Sequence, residues 1–528
     1  MSEPRKGSGP DRRGFLKGAA LAGAAPALAA TTQMADAQIA APRHTPSALP
    51  PNAHQIAAET KVPGAVENRI GGKPGSDFMV DVIKTLDIKY TPSNCASSFR
   101  ALHESLINYG ENKAPEYLSC MHEESGVGMA HGYFKITGKP LMTMVHGTVG
   151  LQHATMGIYN AYCDRVPVII IGGNDLDAAS RPPGVPTFHA AQDINLIVRD
   201  YTKWDDMPTS LQAFAQSMVR AYKIAMTPPY GPVAISLDAG LQQEPIGAHG
   251  SGLYIPKLTM PSPPAGEMGA VKDAAKMLLA AENPVICLLY TSDAADQGGR
   301  MNFPNTHYLA RPAAATAQAD VILGLELSDF WAVVNSYTDN GEHGIGFNSP
   351  KAKAGVKLIS INSVELLTKA NYQDFQRFQS VDISMPADAE ATLPALIEAI
   401  KSQMTSERRA QNDQRAEKAK KAFADIRARE LAAAAVAWDA SPISTARLSM
   451  EIYNAVKDED WSLVASEGNV SNWPSRLWKM EKHHHWLGRS GGYGVGYGAP
   501  ASVGAALANR DLGRFSVSIQ SDGDLMFA

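Results

Sequence analysis

Residues 141–171 read LMTMVHGTVGLQHATMGIYNAYCDRVPVIII, two continuous apolar runs on either side of an amphipathic segment. Leu141–Val145 and Val166–Ile171 predict buried strands, because neither run alternates with polar residues. Leu151–Asp164, which lies between them, predicts a helix. A strand, a helix and a second buried strand predict a parallel sheet that is covered on both faces.

The same alternation extends in both directions and defines a first domain at residues 77–250. Its other predicted elements are helices at Phe78–Leu86, Gly126–Lys135 and Thr209–Met226, and strands at Pro115–Cys120 and Pro232–Leu237. Residues 1–37 and a polar, Pro-rich leader at 38–76 precede it.

Two further units follow the first domain. Residues 262–401 predict a second doubly wound domain, and residues 402–440, rich in Lys, Arg, Glu and Ala, predict an exposed connecting helix. Residues 441–528 predict a third domain that reaches only two strands before the chain stops. The predicted fold class is α/β, with three doubly wound parallel-sheet domains of which the last is incomplete.

Composition excludes several classes of protein. The chain has 528 residues and a formal net charge of −5, so nothing drives general binding to nucleic acid or to an anionic membrane surface. Four cysteines in so long a chain form no disulfide framework. No segment after the first 37 residues is apolar for long enough to span a membrane.

The N-terminus carries Arg12-Arg13, then Gly14-Phe15-Leu16-Lys17, a mild apolar run and small residues suited to signal-peptidase cleavage. This order resembles a twin-arginine export signal. It implies the twin-arginine translocase as a partner and a periplasmic destination. A disordered basic tail is the alternative. Because this route carries folded proteins, we expect a buried, non-covalent cofactor.

Glu123 lies between a predicted strand end and a helix rich in small residues. A carboxylate at such a junction, with Gly126 three positions later, suits the close approach of a flat ligand. The alternative is a surface glutamate that only stabilises the helix N-terminus. Spacing alone leaves both interpretations open.

Ser490–Pro500 contains five glycines within eight residues, among them Gly492 and Gly494 on either side of Tyr493. Such a segment can fold tightly against a ligand, or it can be a flexible loop. It lacks the lysine of a phosphate-binding P-loop, and no strand precedes it as a dinucleotide fingerprint requires.

Asp522 and Gly523 directly follow the predicted strand Phe515–Gln520. A carboxylate at the carboxyl end of a parallel strand lies at the ligand-binding edge of the sheet. Together with a diphosphate it suits Mg²⁺, whereas an ordinary turn is the alternative.

Asn469 and Ser471 follow the predicted strand Ser462–Ser466 and precede Pro474. Free backbone N–H groups before a helix start with Pro in its first turn can hold a phosphate.

Together, in this order, these motifs resemble the thiamine diphosphate-dependent enzymes of the acetolactate synthase and 2-oxo-acid decarboxylase superfamily. The resemblance runs from about Phe78 to the last residue. It implies a pyrimidine-binding domain at 77–250, a central domain at 262–401 and a diphosphate-binding domain at 441–528. It also implies thiamine diphosphate and Mg²⁺ as cofactors, and a homodimer or homotetramer in which each site needs two chains.

The resemblance assigns roles to single residues. Glu123 matches the catalytic glutamate that hydrogen-bonds the aminopyrimidine ring, and Asp522 matches the Mg²⁺-binding aspartate. Val495 falls near the residue that props the cofactor into its bent shape. Gly147 and Gly150 lie in the family loop near the pyrimidine ring. Phe188, His189 and Gln192 face the substrate or a flavin in this family, without a definite role here.

Departures from the family pattern bear on activity. Ser521 replaces a glycine, the second Mg²⁺-binding residue has no counterpart, and the spacing near residues 287–318 predicts the loss of a βα unit. We therefore expect a C-terminally truncated chain that is itself inactive.

The resemblance implies an enzyme that breaks or forms carbon–carbon bonds of a small 2-oxo acid, as acetolactate synthase does. Simple 2-oxo-acid decarboxylation is the first alternative. A non-catalytic nucleotide- or flavin-binding protein is the second, and FAD in the central domain stays open.

Overall fold

A computed structural model describes residues 52–59, 72–177, 179, 188–247, 252–288, 303–310, 313–327, 329–339, 346–363, 377–466, 472–488, 490–492 and 494–527. The predicted signal peptide, Asn469 and Ser471 lie outside these residues. The chain divides into two units, Met1–Arg69 and Ile70–Ala528. The described part of the first unit includes one helix, α1 (Ala53–Glu59).

The first domain of the second unit alternates helices with parallel strands. Its helices are α2 (Gly75–Lys84), α3 (Arg100–Glu104), α4 (Glu123–Thr137), α5 (Gly147–Cys163), α6 (Leu211–Ala225) and α7 (Ala239–Gln243). Its strands are β1 (Tyr90–Ser93), β2 (Glu116–Ser119), β3 (Leu141–Val145), β4 (Val168–Asn174), β5 (Trp204–Asp206) and β6 (Val233–Asp238). The predicted elements are confirmed with shifted ends, and β1 and β5 are additional strands.

The central sheet of this domain has the strand order β3-β4-β6-β5, and every pairing in it is parallel. All residues of β3 and β4 are buried. One core cluster contains Met79 of α2 and Phe214 of α6, and a second contains Val127 of α4 and Ile158 of α5. Helices therefore cover both faces, as the continuous apolar strands predict. The short parallel pair β1–β2 packs beside β3.

The second domain contains a four-stranded parallel sheet in the order β12-β11-β8-β7. Its elements are α8 (Met268–Ala280), β7 (Pro284–Leu288), β8 (Val321–Leu325), α9 (Phe330–Val334), β9 (Asn335–Asp339), β10 (Gly346–Pro350), β11 (Lys357–Ile361), β12 (Ile383–Met385) and α10 (Ala389–Gln403). The antiparallel hairpin β9–β10 is not among the predicted elements.

Strands β7 and β8 are direct neighbours in this sheet. Residues 289–302 of the segment between them lie outside the described residues. The loss of a βα unit near residues 287–318 therefore stays a prediction.

The exposed connecting helix is confirmed as α11 (Ser406–Ala435), which Thr405 caps by accepting a hydrogen bond from Arg408 N. The third domain follows with α12 (Thr445–Val456), β13 (Trp461–Ser466), α13 (Trp473–Leu477), α14 (Gly498–Arg510), β14 (Phe515–Ile519) and α15 (Asp522–Phe527). Strands β13 and β14 pair in parallel. Among the described residues, no helix combines the length and apolar character that crossing a membrane requires. The α/β fold class with several parallel sheets is confirmed.

Candidate active site

Glu123 begins α4 just beyond the carboxyl end of β2, after the extended backbone of His122 (φ −151°). The helix thus starts three residues earlier than the sequence pattern predicts. Gly126 allows α4 to approach the sheet, because a Cβ there would lie 2.7 Å from the carbonyl oxygen of Pro92 in β1. The side chain of Glu123 is buried, at 2% exposure, so it is not a surface glutamate.

Gly150 lies directly against Glu123. A Cβ on Gly150 would lie 2.9 Å from Glu123 Oε1 and 3.1 Å from the Cβ of His146. A Cβ on Gly147 would overlap the carbonyl oxygen of His189, which also accepts a hydrogen bond from Thr148 N (2.8 Å). Both glycines that the sequence singles out are therefore sites of close approach at the start of α5.

The carboxylate of Glu123 has an incomplete set of partners. Its Oε2 lies 3.4 Å from Nδ1 of His153, which is more than half exposed. That oxygen accepts no hydrogen bond from any described residue. A buried carboxylate oxygen without a hydrogen bond is costly, and such groups are concentrated at functional sites.

Two further histidines, His146 and His189, lie near this glutamate. His146 Nδ1 shares a hydrogen bond with Ser98 Oγ (2.8 Å), and His146 Nε2 shares one with His189 Nδ1 (2.6 Å). Burial lowers the pKa of His146, and the neighbouring His189 lowers it further, so this imidazole tends to stay neutral. Neither histidine has a role predicted from the sequence, although His146 directly follows a buried strand.

Glu124, the second residue of α4, is also buried. Burial raises the pKa of its carboxyl group to about 7, and the charge of Asp524 adds to the shift. Its Oε1 accepts no hydrogen bond from any described residue. The sequence analysis did not select Glu124.

The Gly-rich segment lies against α5. Gly491 N donates a hydrogen bond to Asp164 Oδ1 (2.6 Å), and Gly494 N donates one to Asn160 Oδ1 (3.2 Å). A Cβ on Gly492 would lie 2.9 Å from the ring of Tyr159. These contacts fix the segment, so the described part of it is not a loose loop.

Asp524, rather than Asp522, holds the end of this segment. Its carboxylate accepts hydrogen bonds from Gly496 N (2.7 Å) and Gly498 N (3.1 Å) at the start of α14. Asp522 begins α15 and is exposed, and its Oδ1 accepts a hydrogen bond from Gly523 N (2.9 Å). Val495 is 53% exposed, so it is accessible to a ligand.

Helices α4 and α14 join the two parts of the site within one chain. A Cβ on Gly132 would overlap the backbone of Ala501, and a Cβ on Gly504 would overlap that of Met129. Small residues thus allow the two helices to pack backbone to backbone. The glutamates at the start of α4 and the Gly-rich segment before α14 therefore lie on one continuous framework.

These residues fit thiamine diphosphate in the part that the structure describes. Glu123 offers a buried carboxylate oxygen that can accept a hydrogen bond from a protonated ring nitrogen, and Gly150 lies directly against this carboxylate. For Mg²⁺, Asp522 offers an exposed carboxylate at the carboxyl end of β14, and Mg²⁺ is commonly held by one or two carboxylates plus phosphate oxygens.

Comparison with known proteins matches two stretches of this chain to family models. Residues 73–191 match the thiamine pyrophosphate enzyme N-terminal TPP binding domain, and residues 466–528 match the thiamine pyrophosphate enzyme C-terminal TPP binding domain. Glu123, Gly147 and Gly150 fall in the first match, and Asp522 falls in the second.

Individual relatives agree with these matches. The chain is 23% identical over 472 residues to the acetolactate synthase isozyme 1 large subunit of Escherichia coli, covering 86% of this chain and 77% of that protein. It is 25% identical over 204 residues to benzoylformate decarboxylase of Pseudomonas aeruginosa, covering 36% and 37%. The fold is similar to an X-ray structure from Mycobacterium smegmatis described as a thiamin diphosphate-dependent enzyme, with a TM-score of 0.64, 19% identity and coverage of 86% and 84%.

Proposed function

We propose that this chain, which carries both TPP-binding domains of the thiamine pyrophosphate enzyme superfamily, breaks and forms carbon–carbon bonds of a small 2-oxo acid with the help of Mg²⁺. The observation that carries the proposal is the buried carboxylate of Glu123 inside the matched N-terminal domain, with one oxygen that accepts no hydrogen bond from the described part of the chain. Acetolactate synthase-like carboligation is the first choice, since that relative covers most of the chain.

Each described residue has a definite task in this proposal. Glu123 would bind the aminopyrimidine ring through its carboxylate, and Gly147 and Gly150 let the backbone around His189 and the side chain of Glu123 pack closely at the start of α5. Asp522 holds Mg²⁺ against the diphosphate. When bound, thiamine diphosphate supplies the electron sink that lets a 2-oxo acid lose carbon dioxide.

Simple decarboxylation is the second candidate, and the pair His146–His189 favours it. Decarboxylation to an aldehyde requires a proton donor where carboligation requires a second carbonyl compound. The linked imidazoles and Ser98 can move a proton between solvent-exposed His189 and the buried side of the site.

The test uses the full chain with thiamine diphosphate, Mg²⁺ and a panel of 2-oxo acids, with carbon dioxide, aldehyde and 2-hydroxyketone products measured separately. Glu123→Gln should lower turnover by roughly 100-fold or more. Glu116→Gln, the same substitution at an exposed position at the start of β2, is the matched control and should leave turnover unchanged. Full turnover in Glu123→Gln would refute the assignment.

The ratio of products distinguishes the two candidates. If the chain is a decarboxylase, His146→Gln should lower aldehyde release by roughly 10-fold or more. If it is a carboligase, the 2-hydroxyketone should dominate in the unaltered chain and remain dominant in the variant.

Assembly and location are proposals of the same kind. A homodimer or homotetramer is proposed, and the name of the Escherichia coli relative, a large subunit, supports only that a similar protein works in an assembly. Within the described residues, α4 and α14 already meet in one chain. Sedimentation of an active monomer would refute the need for two chains.

Periplasmic export rests on Arg12-Arg13 and the residues after them, and replacing both arginines with Lys should keep the protein in the cytoplasm.

A further inference from the structure

We propose that His122, Glu123 and His153 form a binding site for a divalent transition-metal ion of the Zn²⁺ type. Whether the metal binds does not depend on the proposed function. Its consequence, that the metal and thiamine diphosphate exclude one another, rests on the proposed role of Glu123.

The three side chains converge at the start of α4. One ligand atom from each lies within 4.8 Å of the others. His153 Nδ1 lies 3.4 Å from Glu123 Oε2, close to the separation of about 3.3 Å between two ligands of a tetrahedral zinc ion. The rings of His122 and His153 stack with centroids 4.7 Å apart and planes 15° apart, so His153 must turn out of this stack before a nitrogen lone pair from each ring meets the same ion.

The state of Glu123 is an independent reason to expect a ligand. This side chain is almost fully buried, and Oε2, the oxygen that faces His153, accepts no hydrogen bond from any described residue. Bound metal would complete its coordination. Two imidazoles and one carboxylate are a common donor set for zinc, and they leave a fourth position open.

Access differs among the three ligands in a way that allows exchange with solution. The side chain of His153 is 56% exposed, and that of Glu123 is 3% exposed. A metal ion can therefore meet His153 first, and small rotations of this exposed ring bring its lone pair toward the carboxylate. The site has one anchored ligand and one movable ligand.

A second group with similar side chains lacks these properties. Asp460, His484 and His485 also lie close together, but Lys482 and Arg514 both pair with Asp460. These two cations already neutralise the carboxylate and repel a metal ion. The second group therefore serves as a control within the same chain.

The metal would occupy the oxygen that the aminopyrimidine ring needs. Zn²⁺ would then act as an inhibitor that competes with thiamine diphosphate, and Mg²⁺ would not, because Mg²⁺ prefers oxygen ligands.

The test is calorimetric titration of the full, cofactor-free chain with ZnCl₂, followed by Co²⁺ titration monitored by visible absorption. His153→Ala and His122→Asn should each weaken Zn²⁺ binding by roughly 10-fold or more, with unchanged circular dichroism. His484→Ala should not change it. The unaltered chain should show the visible absorption of tetrahedral Co²⁺, and His153→Ala should lose it.

Equal Zn²⁺ affinity in His153→Ala and the unaltered chain would overturn the site, and so would loss of binding in His484→Ala alone. A further titration in saturating thiamine diphosphate should show weakened Zn²⁺ binding. Unchanged Zn²⁺ affinity in the presence of bound thiamine diphosphate would overturn mutual exclusion and the proposed role of Glu123, while the metal site itself would stand.

Discussion

The first turn of α4 and its later turns bury charged side chains under opposite conditions. In the first turn, Glu123 and Glu124 each have a carboxylate oxygen that accepts no hydrogen bond from a described residue. In the later turns, His131 and Lys135 lie against Asp164, the residue after α5: its Oδ2 is 2.8 Å from Nε2 of His131 and 2.8 Å from Nζ of Lys135, and all three are buried.

The second region differs in charge pairing rather than in hydrogen bonding, because Asp164 Oδ2 and both ring nitrogens of His131 also lack a well-directed hydrogen bond from a described residue. Burial alone would raise the pKa of Asp164, but Lys135 and His131 outweigh burial and lower it. Burial alone would lower the pKa of Lys135, but Asp164 and Tyr497 outweigh it and raise it. Burial and Lys135 lower the pKa of His131 to about 4, so the network contains one cation and one anion at neutral pH.

The difference separates a structural network from a binding site. Asp164 also accepts a hydrogen bond from Gly491 N, so the charge-paired network fixes the Gly-rich segment. The glutamates in the first turn gain nothing comparable from the protein. Unpaired buried polar groups persist where a ligand, rather than the fold, uses them.

The largest change in the free energy of unfolding is expected when the charge pairing of Asp164, His131 and Lys135 is broken. Asp164→Ala should lower the free energy of unfolding by about 3–5 kcal/mol, because it leaves the ammonium group of Lys135 buried without a counter-charge. Urea denaturation measures the change. Adding Lys135→Met to this variant should recover part of the loss, since it removes the orphaned charge. A loss below about 1 kcal/mol in Asp164→Ala would mean that the network is not electrostatically coupled.

Glu124→Gln should raise the free energy of unfolding, and by less than Asp164→Ala lowers it. The folded-state pKa of Glu124 is raised from 4.5 to about 7, so the unfolded chain releases this proton first as the pH rises. As the pH rises from 4.5 to about 7, the free energy of unfolding of the unaltered protein therefore falls. The Glu124→Gln variant lacks this loss, because glutamine does not ionise.

Above neutral pH, Glu124→Gln should thus be more stable by up to about 3 kcal/mol. Near pH 4.5 the difference in stability between Glu124→Gln and the unaltered chain should become small. Thermal unfolding at several pH values measures both. A stability gain that is independent of pH would show that ionisation of Glu124 is not its cause.

The smallest effect should come from an exposed pair. Lys89 and Asp511 form an ion pair in which each side chain is almost half exposed. Lys89→Ala should change the free energy of unfolding by less than about 1 kcal/mol, because water screens such pairs. If Lys89→Ala changed the free energy of unfolding as much as Asp164→Ala does, burial would not explain why one ion pair contributes more than the other.

The strongest elements of the fold were predictable because their pattern is local. The predicted strands Leu141–Val145 and Val166–Ile171 are mostly apolar, which is typical of strands buried on both faces, and the structure has them as Leu141–Val145 and Val168–Asn174. Tyr90–Ser93 and the hairpin β9–β10 were missed. Tyr90–Ser93 contains Pro92, which weakens a strand signal, and both depend on neighbours far away in the sequence.

The site was predictable only where a residue stood in a recognisable motif. Glu123, Gly147 and Gly150 were selected in advance, and the structure brings them together. Glu124 and Asp524 were missed, because burial and partners, rather than residue type, distinguish them. Neither the described residues nor the comparisons support the expected inactivity of the chain, so cofactor binding needs a direct measurement.

That measurement is calorimetric titration of thiamine diphosphate, in the presence of Mg²⁺, into the full chain, Glu123→Gln and the exposed control Glu116→Gln. The account predicts saturable binding to the unaltered chain and to the control. Thiamine diphosphate should bind at least about 10-fold more weakly to Glu123→Gln, because a neutral amide replaces the buried carboxylate that is proposed to accept a hydrogen bond from the aminopyrimidine ring. Absence of saturable binding to the unaltered chain, or equal affinity in all three proteins, would contradict it.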